Sequence, residues 1–434
     1  MSISIKATQQ AQDLLDFIDA SPSPWHAVST VAETLRKNGF RPLLEDQHWD
    51  LGKRGKYYVV RDSASIIAFV IGGKPISASG FRLVGAHTDS PSLRLKPKAA
   101  YATEGIAQLG VEVYGGPILA TFTDRDLSLA GRVVVKSDNG FTHRFARFTE
   151  SIVRLPNLAI HMNREVNTKG LLLDKQTQLP LIFGFAADSA EAQQHLLNAL
   201  AKQLNIKTDA ILTWDLTVYD TQKGSLWGMN QDFIANSQLD NLASCHAGIS
   251  ALLATEKPGA TSICALFDHE EVGSESATGA GGSFMLDVIN RICLATETSQ
   301  EDRLRGFANS FFISADMAHA YHPNHPTAYE PCHHAIVNQG PVIKSNANQR
   351  YSTNADTAAR FIQLCEKAKV PYQEYSHRTD LGCGSTIGPT VAAQLGIPTV
   401  DVGNPMWAMH SIRESAGVLD HGYMIEVLKQ HFQS

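Results

Sequence analysis

Two adjacent glutamates follow a short apolar run in the segment Cys264-Ala-Leu-Phe-Asp-His-Glu-Glu-Val-Gly-Ser274. Carboxylates at the end of a buried strand need cations or hydrogen-bond donors nearby, because burying an unpaired charge is strongly unfavourable. Metal-assisted hydrolysis uses one such group to accept a proton from water and another to hold the metal ion. Glu270 and Glu271 therefore indicate a hydrolytic metal site, although glutamate pairs are also common on solvated helix faces.

Two other apolar runs end in residues that can bind a metal ion. The run at 81–86 is followed by His87, and the run at 311–315 is followed by Asp316. Ligands of open α/β sheets sit outside the carboxyl ends of the strands. We therefore expect His87, Asp316 and the two glutamates to meet in one crevice and to form a metal site.

The spacing His87-Thr-Asp89 has a meaning of its own. In an extended chain, residues two apart lie on the same side, so Asp89 can accept a hydrogen bond from the second ring nitrogen of His87. Such a bond fixes the tautomer of a histidine ligand and raises its basicity. A surface histidine beside an aspartate is the other interpretation of this spacing.

Two further candidates are ambiguous when they are read from the residues alone. Asp240 opens a helical stretch, where an aspartate can cap the helix or can bridge two metal ions. His410 lies between Met409 and Ser411, and a histidine in such a segment is more often a core or loop residue than a ligand. The spacing leaves both alternatives open at both positions.

Composition excludes several classes of protein. The chain has 434 residues, of which 43% are hydrophobic and 18% charged, a composition typical of a globular protein. Its net charge of −6 argues against nucleic-acid binding. Its six cysteines form no CxxC pair, which favours reduced thiols in a cytoplasmic protein. No signal peptide is expected, because residues 1–10 lack an apolar region, and no run approaches the length that spans a membrane. The glycine-rich stretch 276–283 lacks the lysine of a P-loop, and no G-x-S-x-G elbow occurs.

The order of predicted elements indicates a discontinuous α/β domain. In 1–93 and 236–434 helical and strand patterns alternate, which predicts a sheet with helices on both faces, whereas 94–235 carries mostly short β-like runs and predicts a β-rich inserted domain. Helices are expected within 11–18, 25–35, 190–204, 241–254, 355–369 and 420–430. Strands are expected at 57–60, 66–71, 81–86, 261–267, 311–315 and 399–402.

Several segments, in this order, resemble the M18 family of metalloaminopeptidases, of the aspartyl aminopeptidase type. The matching segments begin at Gly85 (GAHTDSPSLRLKP), Tyr114 (YGGP), Phe122 (FTDRDLSLAGR), Asn157 (NLAIH), Asp268 (DHEEVGS), Ala315 (ADMAHAYHPN) and Gly340 (GPVIK). The resemblance implies a mixed-sheet α/β zinc-peptidase domain interrupted by a β-rich dimerisation domain. It also implies dimers that assemble into a homododecamer.

The resemblance further implies the site and its cofactor, two Zn²⁺ ions per subunit, for which Mn²⁺ or Co²⁺ could substitute. The implied metal ligands are His87, Asp240, Glu271, Asp316 and His410. Among them Asp240 would bridge the two ions, with Glu270 as general base and Asp89 as the partner of His87. The implied substrate-binding residues are His161, His319, Lys344 and Tyr351. In the family His161 reaches into a neighbouring subunit, and Lys344 would pair with an acidic substrate side chain.

The predicted function is therefore a dinuclear-metal aminopeptidase that removes N-terminal residues from peptides and prefers Asp or Glu. A two-metal deacylase or carboxypeptidase on the same scaffold is one alternative. The other alternative is a non-catalytic assembly or cargo protein that keeps the oligomer but has lost the chemistry. The intact set of candidate ligands argues against it.

Overall fold

The computed structural model describes residues 3–434. The strands are β1 (Arg41–Leu43), β2 (Lys56–Arg61), β3 (Ser65–Val70), β4 (Phe81–His87), β5 (Ser92–Thr103), β6 (Ile106–Tyr114), β7 (Leu127–Ser137), β8 (Gly140–Arg147), β9 (Leu181–Phe185), β10 (Ile211–Asp220), β11 (Ser225–Trp227), β12 (Phe233–Asn236), β13 (Thr261–Phe267), β14 (Phe311–Ala315), β15 (Ala318–His319), β16 (Val342–Ser345), β17 (Gln373–Ser376), β18 (Thr399–Gly403), β19 (Pro405–Trp407) and β20 (Glu414–Gly417). The helices are α1 (Ile5–Asp19), α2 (Pro24–Lys37), α3 (Ile76–Ser79), α4 (Val166–Lys169), α5 (Ser189–Leu204), α6 (Leu239–Leu253), α7 (Phe284–Ala295), α8 (Gln300–Ala308), α9 (Ala355–Ala368), α10 (Ile387–Leu395) and α11 (Val418–Gln433).

A mixed nine-stranded sheet forms the centre of the molecule, in the order β1-β2-β3-β13-β4-β14-β18-β16-β17. Its four middle strands, β13, β4, β14 and β18, are mutually parallel. The strands on either side of them, β3 and β16, run antiparallel. The carboxyl ends of the four middle strands therefore lie at one edge, which is the arrangement that a crevice at that edge requires.

Helices cover both faces of this sheet, as the sequence predicted. Leu14 of α1 and Leu252 of α6 share one buried cluster with Val84 of β4. Ile289 of α7 belongs to a second buried cluster with Leu83, the neighbour of Val84 on the same strand. Since successive side chains of a strand point to opposite faces, the two clusters lie on opposite sides of the sheet. The α/β fold class is confirmed.

Within the described residues, no helix combines the length and the apolar character needed to span a membrane.

A second, six-stranded sheet has the order β8-β7-β10-β5-β6-β9, and all of its pairings are antiparallel. It is built from residues 92–220, and α5 packs against it through a separate buried cluster. A five-stranded sheet, β11-β12-β20-β19-β15, joins residues 225–236 to later parts of the chain. The division into a domain of 1–93 with 236–434 and an insertion of 94–235 stays a prediction.

One buried histidine should make the stability of this fold depend on pH. His431 is fully buried, its Nε2 lies 3.1 Å from the carbonyl oxygen of Leu83, and burial lowers its pKa to about 3. Below the ordinary histidine pKa of about 6.5, the unfolded chain binds a proton at this position that the folded chain does not. The free energy of unfolding therefore decreases as the pH decreases. Between pH 7 and pH 5, His431→Gln should lose about 2 kcal/mol less stability than the wild type in urea titrations. Equal losses would contradict the prediction.

Candidate metal centre

Four candidate site residues lie at the carboxyl ends of three adjacent parallel strands. His87 is the last residue of β4. Glu270 and Glu271 begin a single 3₁₀ turn that follows β13, and Asp316 comes directly after β14. Because β13, β4 and β14 are neighbours in the sheet, the strand order alone brings these four side chains to one crevice, where the sequence placed them.

Besides the group formed by His87, Glu270 and Glu271, two groups of side chains in this crevice could each hold a metal ion, and Asp240 belongs to both of these two. In the first group, His87 Nε2 lies 3.4 Å from Asp240 Oδ1 and 3.4 Å from Asp316 Oδ1. In the second, His410 Nε2 lies 3.6 Å from Asp240 Oδ2 and 3.4 Å from Glu271 Oε1. Asp240 thus turns one carboxylate oxygen toward each histidine, which is how a carboxylate bridges two cations.

The hydrogen bonding of the crevice supports a metal site. Asp240 Oδ1 and Glu271 Oε1 are buried and have no hydrogen-bond partner among the described residues. Buried carboxylate oxygens without donors are strongly unfavourable unless a cation neutralises them. The helix-cap alternative for Asp240 has no hydrogen bond to support it at Oδ1, and the backbone of Asp240 and Asn241 departs from helical angles within α6. The carboxylates and imidazoles are ligands that suit zinc.

Each histidine of the crevice is oriented by a backbone carbonyl on its other ring nitrogen. His410 Nδ1 lies 3.1 Å from the carbonyl oxygen of Gly116, and His87 Nδ1 lies 3.0 Å from that of Asp89. The carboxylate of Asp89 is farther away, 3.5 Å from His87 Nδ1. The predicted Asp89–His87 contact is therefore present, but its shorter bond is made by the backbone. In both histidines Nε2 is left to face the carboxylates, as in a metal-ligating histidine.

The Asp89 carboxylate has partners that the sequence did not predict. It accepts the backbone N–H groups of Glu270 and Glu271, each at 3.1 Å. It also accepts the hydroxyl of Tyr114, the last residue of β6, at 2.6 Å. Asp89 is fully buried. Through these hydrogen bonds it connects the turn that carries both glutamates to the six-stranded sheet.

The electrostatics of the crevice show an excess of negative charge. Burial, reinforced by Asp316, Asp89 and Asp240 and opposed by His87, raises the pKa of Glu270 to about 8. Burial and Asp240 likewise raise the pKa of Glu271 far above its ordinary range. For His87, burial lowers the pKa, but the neighbouring carboxylates outweigh it and raise the pKa overall. Cations bound in the crevice would relieve this repulsion and keep the carboxylates ionised.

A pocket of about 750 Å³ opens beside the candidate ligands, and His319, Lys344 and Tyr351 line it. Lys344 is not a solvated surface charge, because it is only 2% exposed. Its Nζ donates to the carbonyl oxygen of Met317 at 3.1 Å, lies 3.6 Å from Asp316 Oδ2 and sits 5.0 Å from the ring centroid of Tyr351. The loop at 381–386 and the side chains of Arg350 and His377 also line the pocket, and the sequence did not predict them.

His161 is the one substrate-binding candidate that the chain does not bring to this pocket. It is exposed, lies in the long loop between β8 and β9 and is absent from the pocket lining. The apolar side chains of Leu158 and Met162 beside it are 62% and 75% exposed. Exposed apolar side chains in such a loop are typical of an interaction surface.

Comparison with known proteins decides the family. Residues 17–432 match the family model described as Aminopeptidase I zinc metalloprotease (M18). The chain belongs to the M18 family. It is a zinc metalloexopeptidase of the aminopeptidase class. The family resemblance of the sequence motifs is therefore confirmed. The aminopeptidase hypothesis is favoured over the deacylase, carboxypeptidase and cargo-protein alternatives.

Relatives of this M18 aminopeptidase match over nearly its whole length. The probable M18 family aminopeptidase 2 of Stutzerimonas stutzeri (strain A1501) is 45% identical over 425 residues, which are 98% of each chain. That of Ectopseudomonas mendocina (strain ymp) is 46% identical over 426 residues, again 98% of each chain.

Solved structures agree with the fold. The cryo-EM structure of the Ape4 and Nbr1 complex matches with a TM-score of 0.95 and 37% identity, covering 100% of this chain and 88% of that one. The structure of the S. cerevesiae mApe1 dodecamer matches with a TM-score of 0.85 and 28% identity, covering 98% and 96% of the two chains.

Proposed function

We propose that this M18 aminopeptidase is a cytoplasmic enzyme with two zinc ions per subunit that removes N-terminal residues, preferentially Asp and Glu, from peptides. The observation that carries the two-ion proposal is the position of Asp240, whose two carboxylate oxygens face His87 and His410 separately. His87 and Asp316 would complete one ion site, and Glu271 and His410 the other. Mn²⁺ or Co²⁺ could occupy the same ligands.

When bound, zinc ions lower the pKa of an attacking water and polarise the carbonyl group of the scissile bond. Glu270 would accept a proton from that water as the water oxygen bonds to the carbonyl carbon. As the carbon–nitrogen bond breaks, Glu270 would pass the proton to the departing amine. Its position suits this role, because Glu270 Oε2 lies 3.9 Å from His87 Nε2 and the side chain is still 13% exposed to the crevice.

The pocket residues would bind the N-terminal side chain of the substrate. Lys344 supplies a buried positive charge, and Tyr351 packs beside it. Burial and the nearby Lys344 lower the pKa of His319 to about 4, so His319 would be neutral at pH 7 and able to donate or accept one hydrogen bond. A charged amine in a desolvated pocket favours a carboxylate over an apolar side chain.

We also propose that the chain assembles through 94–235 into dimers and then into a homododecamer; the similar mApe1 structure is a dodecamer. The exposed apolar residues around His161 support an interface in this loop. In such an assembly His161 would complete the substrate pocket of a neighbouring subunit.

The direct test of the proposed function combines metal counting with a substrate panel. Purified protein reconstituted with zinc should hold two zinc atoms per chain and should hydrolyse Asp- and Glu-p-nitroanilides faster than Leu- and Ala-p-nitroanilides. N-acetylated amino acids should be left intact. One zinc atom per chain would contradict the two-ion site, and a preference for Leu or Ala would contradict the acidic specificity.

The source of the acidic preference can be tested at Lys344. Lys344→Met should reduce kcat/KM for Asp substrates relative to Leu substrates by about ten- to a hundredfold, the usual effect of losing a hydrogen bond to a charged group. The zinc content should be measured alongside, because Lys344 Nζ is near the Asp316 carboxylate. Arg350→Gln is the matched control, since it removes another cation from the same pocket. If the control lost the preference and Lys344→Met kept it, the role of Lys344 would be wrong.

A further inference from the structure

Glu414 is a buried carboxylate that makes two contacts with the metal centre. It is the first residue of β20 and is only 1% exposed. Its Oε2 accepts the backbone N–H of Asp240 at 3.0 Å, and its Oε1 accepts the backbone N–H of His410 at 2.7 Å. One side chain thus joins two candidate ligands that are far apart in the chain.

Both segments held by Glu414 have backbone conformations that need support. His410 has a φ of +67° and the nearby Ala408 a φ of +55°. Residues other than glycine adopt such left-handed conformations at a cost in free energy and keep them only where surrounding contacts enforce them. On the other side, Gln238 has a φ of +58°. The hydroxyl of Ser90 donates to the carbonyl oxygen of Asp240 at 2.7 Å. Together with the hydrogen bond to Glu414, this bond fixes both the backbone N–H and the carbonyl group of Asp240.

We propose that Glu414 is a positioning residue that sets the separation of Asp240 and His410 and thereby the affinity of the second zinc ion. Of the three groups that could hold an ion, only Asp240–Glu271–His410 contains both residues that Glu414 holds. The His87–Asp240–Asp316 site has Asp240 in common, but His87 and Asp316 are held by strand ends. Loss of Glu414 should thus weaken one ion site more than the other. This inference rests on the proposed two-ion site.

The test is a zinc titration of Glu414→Gln, followed by equilibrium dialysis and by Co²⁺ absorption spectra. Glutamine keeps one acceptor oxygen and has an NH₂ group in place of the other. One of the two backbone N–H groups, of Asp240 or of His410, would then face an NH₂ donor instead of an acceptor. The dissociation constant of the ion at the Asp240–Glu271–His410 site should rise about 10–100-fold, the usual effect of losing a group that orients metal ligands, while that of the ion at the His87–Asp240–Asp316 site should change less. Excess zinc should restore kcat, which it would not do for a catalytic residue.

The matched control is Ser415→Ala, which alters the neighbouring residue of the same strand and should leave both dissociation constants unchanged. If Glu414→Gln does not fold, Glu414→Asp provides the same comparison with both oxygens kept on a shorter side chain, and it should also weaken the second ion. Wild-type protein that binds a single zinc ion would refute the two-ion site itself. Wild-type protein that binds two, with variants that bind two equally tightly, would overturn the role of Glu414 alone.

Discussion

Replacing Glu270 with glutamine should lower kcat by about 10²–10⁴-fold while leaving the zinc content nearly unchanged, because the contribution of a general base is lost. Glutamine has almost the same shape, and the backbone N–H of residue 270 would still donate to Asp89. KM should change little, since Glu270 is not among the proposed substrate-binding residues. Steady-state kinetics on an Asp-p-nitroanilide and zinc analysis of the same sample measure both quantities.

The control for this variant is Glu275→Gln, which makes the same chemical change at an exposed position of the same loop. It should retain wild-type kcat. Undiminished turnover in the Glu270 variant would remove that residue from the catalytic step. Loss of zinc together with activity would instead make it a structural ligand.

Replacing His161 with alanine should lower kcat/KM by about 10²-fold without emptying the metal centre, the usual effect of deleting one hydrogen-bonding group from an active site. The physical reason is that His161, exposed and outside the pocket of its own subunit, would act only on a neighbour. His195→Ala is the control, since His195 is also exposed on α5 and forms only a 3.6 Å contact with Glu191.

Mixing two impaired variants distinguishes action on a neighbour from action within one subunit. Co-assembled His161→Ala and Glu270→Gln chains should recover part of the activity, because some sites would combine an intact Glu270 with an intact His161 from the other chain. No recovery in verified mixed oligomers, or wild-type kinetics of His161→Ala alone, would contradict the proposal.

Much of the crevice could be predicted from sequence because it follows from strand order. His87, Glu270 and Asp316 come at the ends of apolar runs, and parallel neighbours in a sheet must end at the same edge. The helix at 11–18 was equally predictable, since its apolar residues recur at helical spacing. α7 could have been predicted too, because Phe284, Val288 and Ile292 show the same spacing and are buried.

The rest of the crevice depends on contacts that have no local signature. His410 lies in a loop with left-handed backbone, and only the family resemblance pointed to it. Glu414 and Tyr114 contact the ligand-bearing segments through hydrogen bonds that span 174 and 25 positions in the chain. Neither the periodicity of hydrophobic residues nor the spacing of a motif reports a pairing of that kind, so the supporting residues had to be found in the structure.

The bond between Tyr114 and Asp89 has a consequence for protein engineering. Tyr114 closes a strand of the six-stranded sheet, yet its hydroxyl completes the set of donors around the carboxylate that anchors the glutamate turn. Excising that sheet to obtain a minimal peptidase would leave a buried carboxylate short of a donor next to the reacting groups. A shortened enzyme would therefore need a substitute hydroxyl at this point, however well its remaining halves folded.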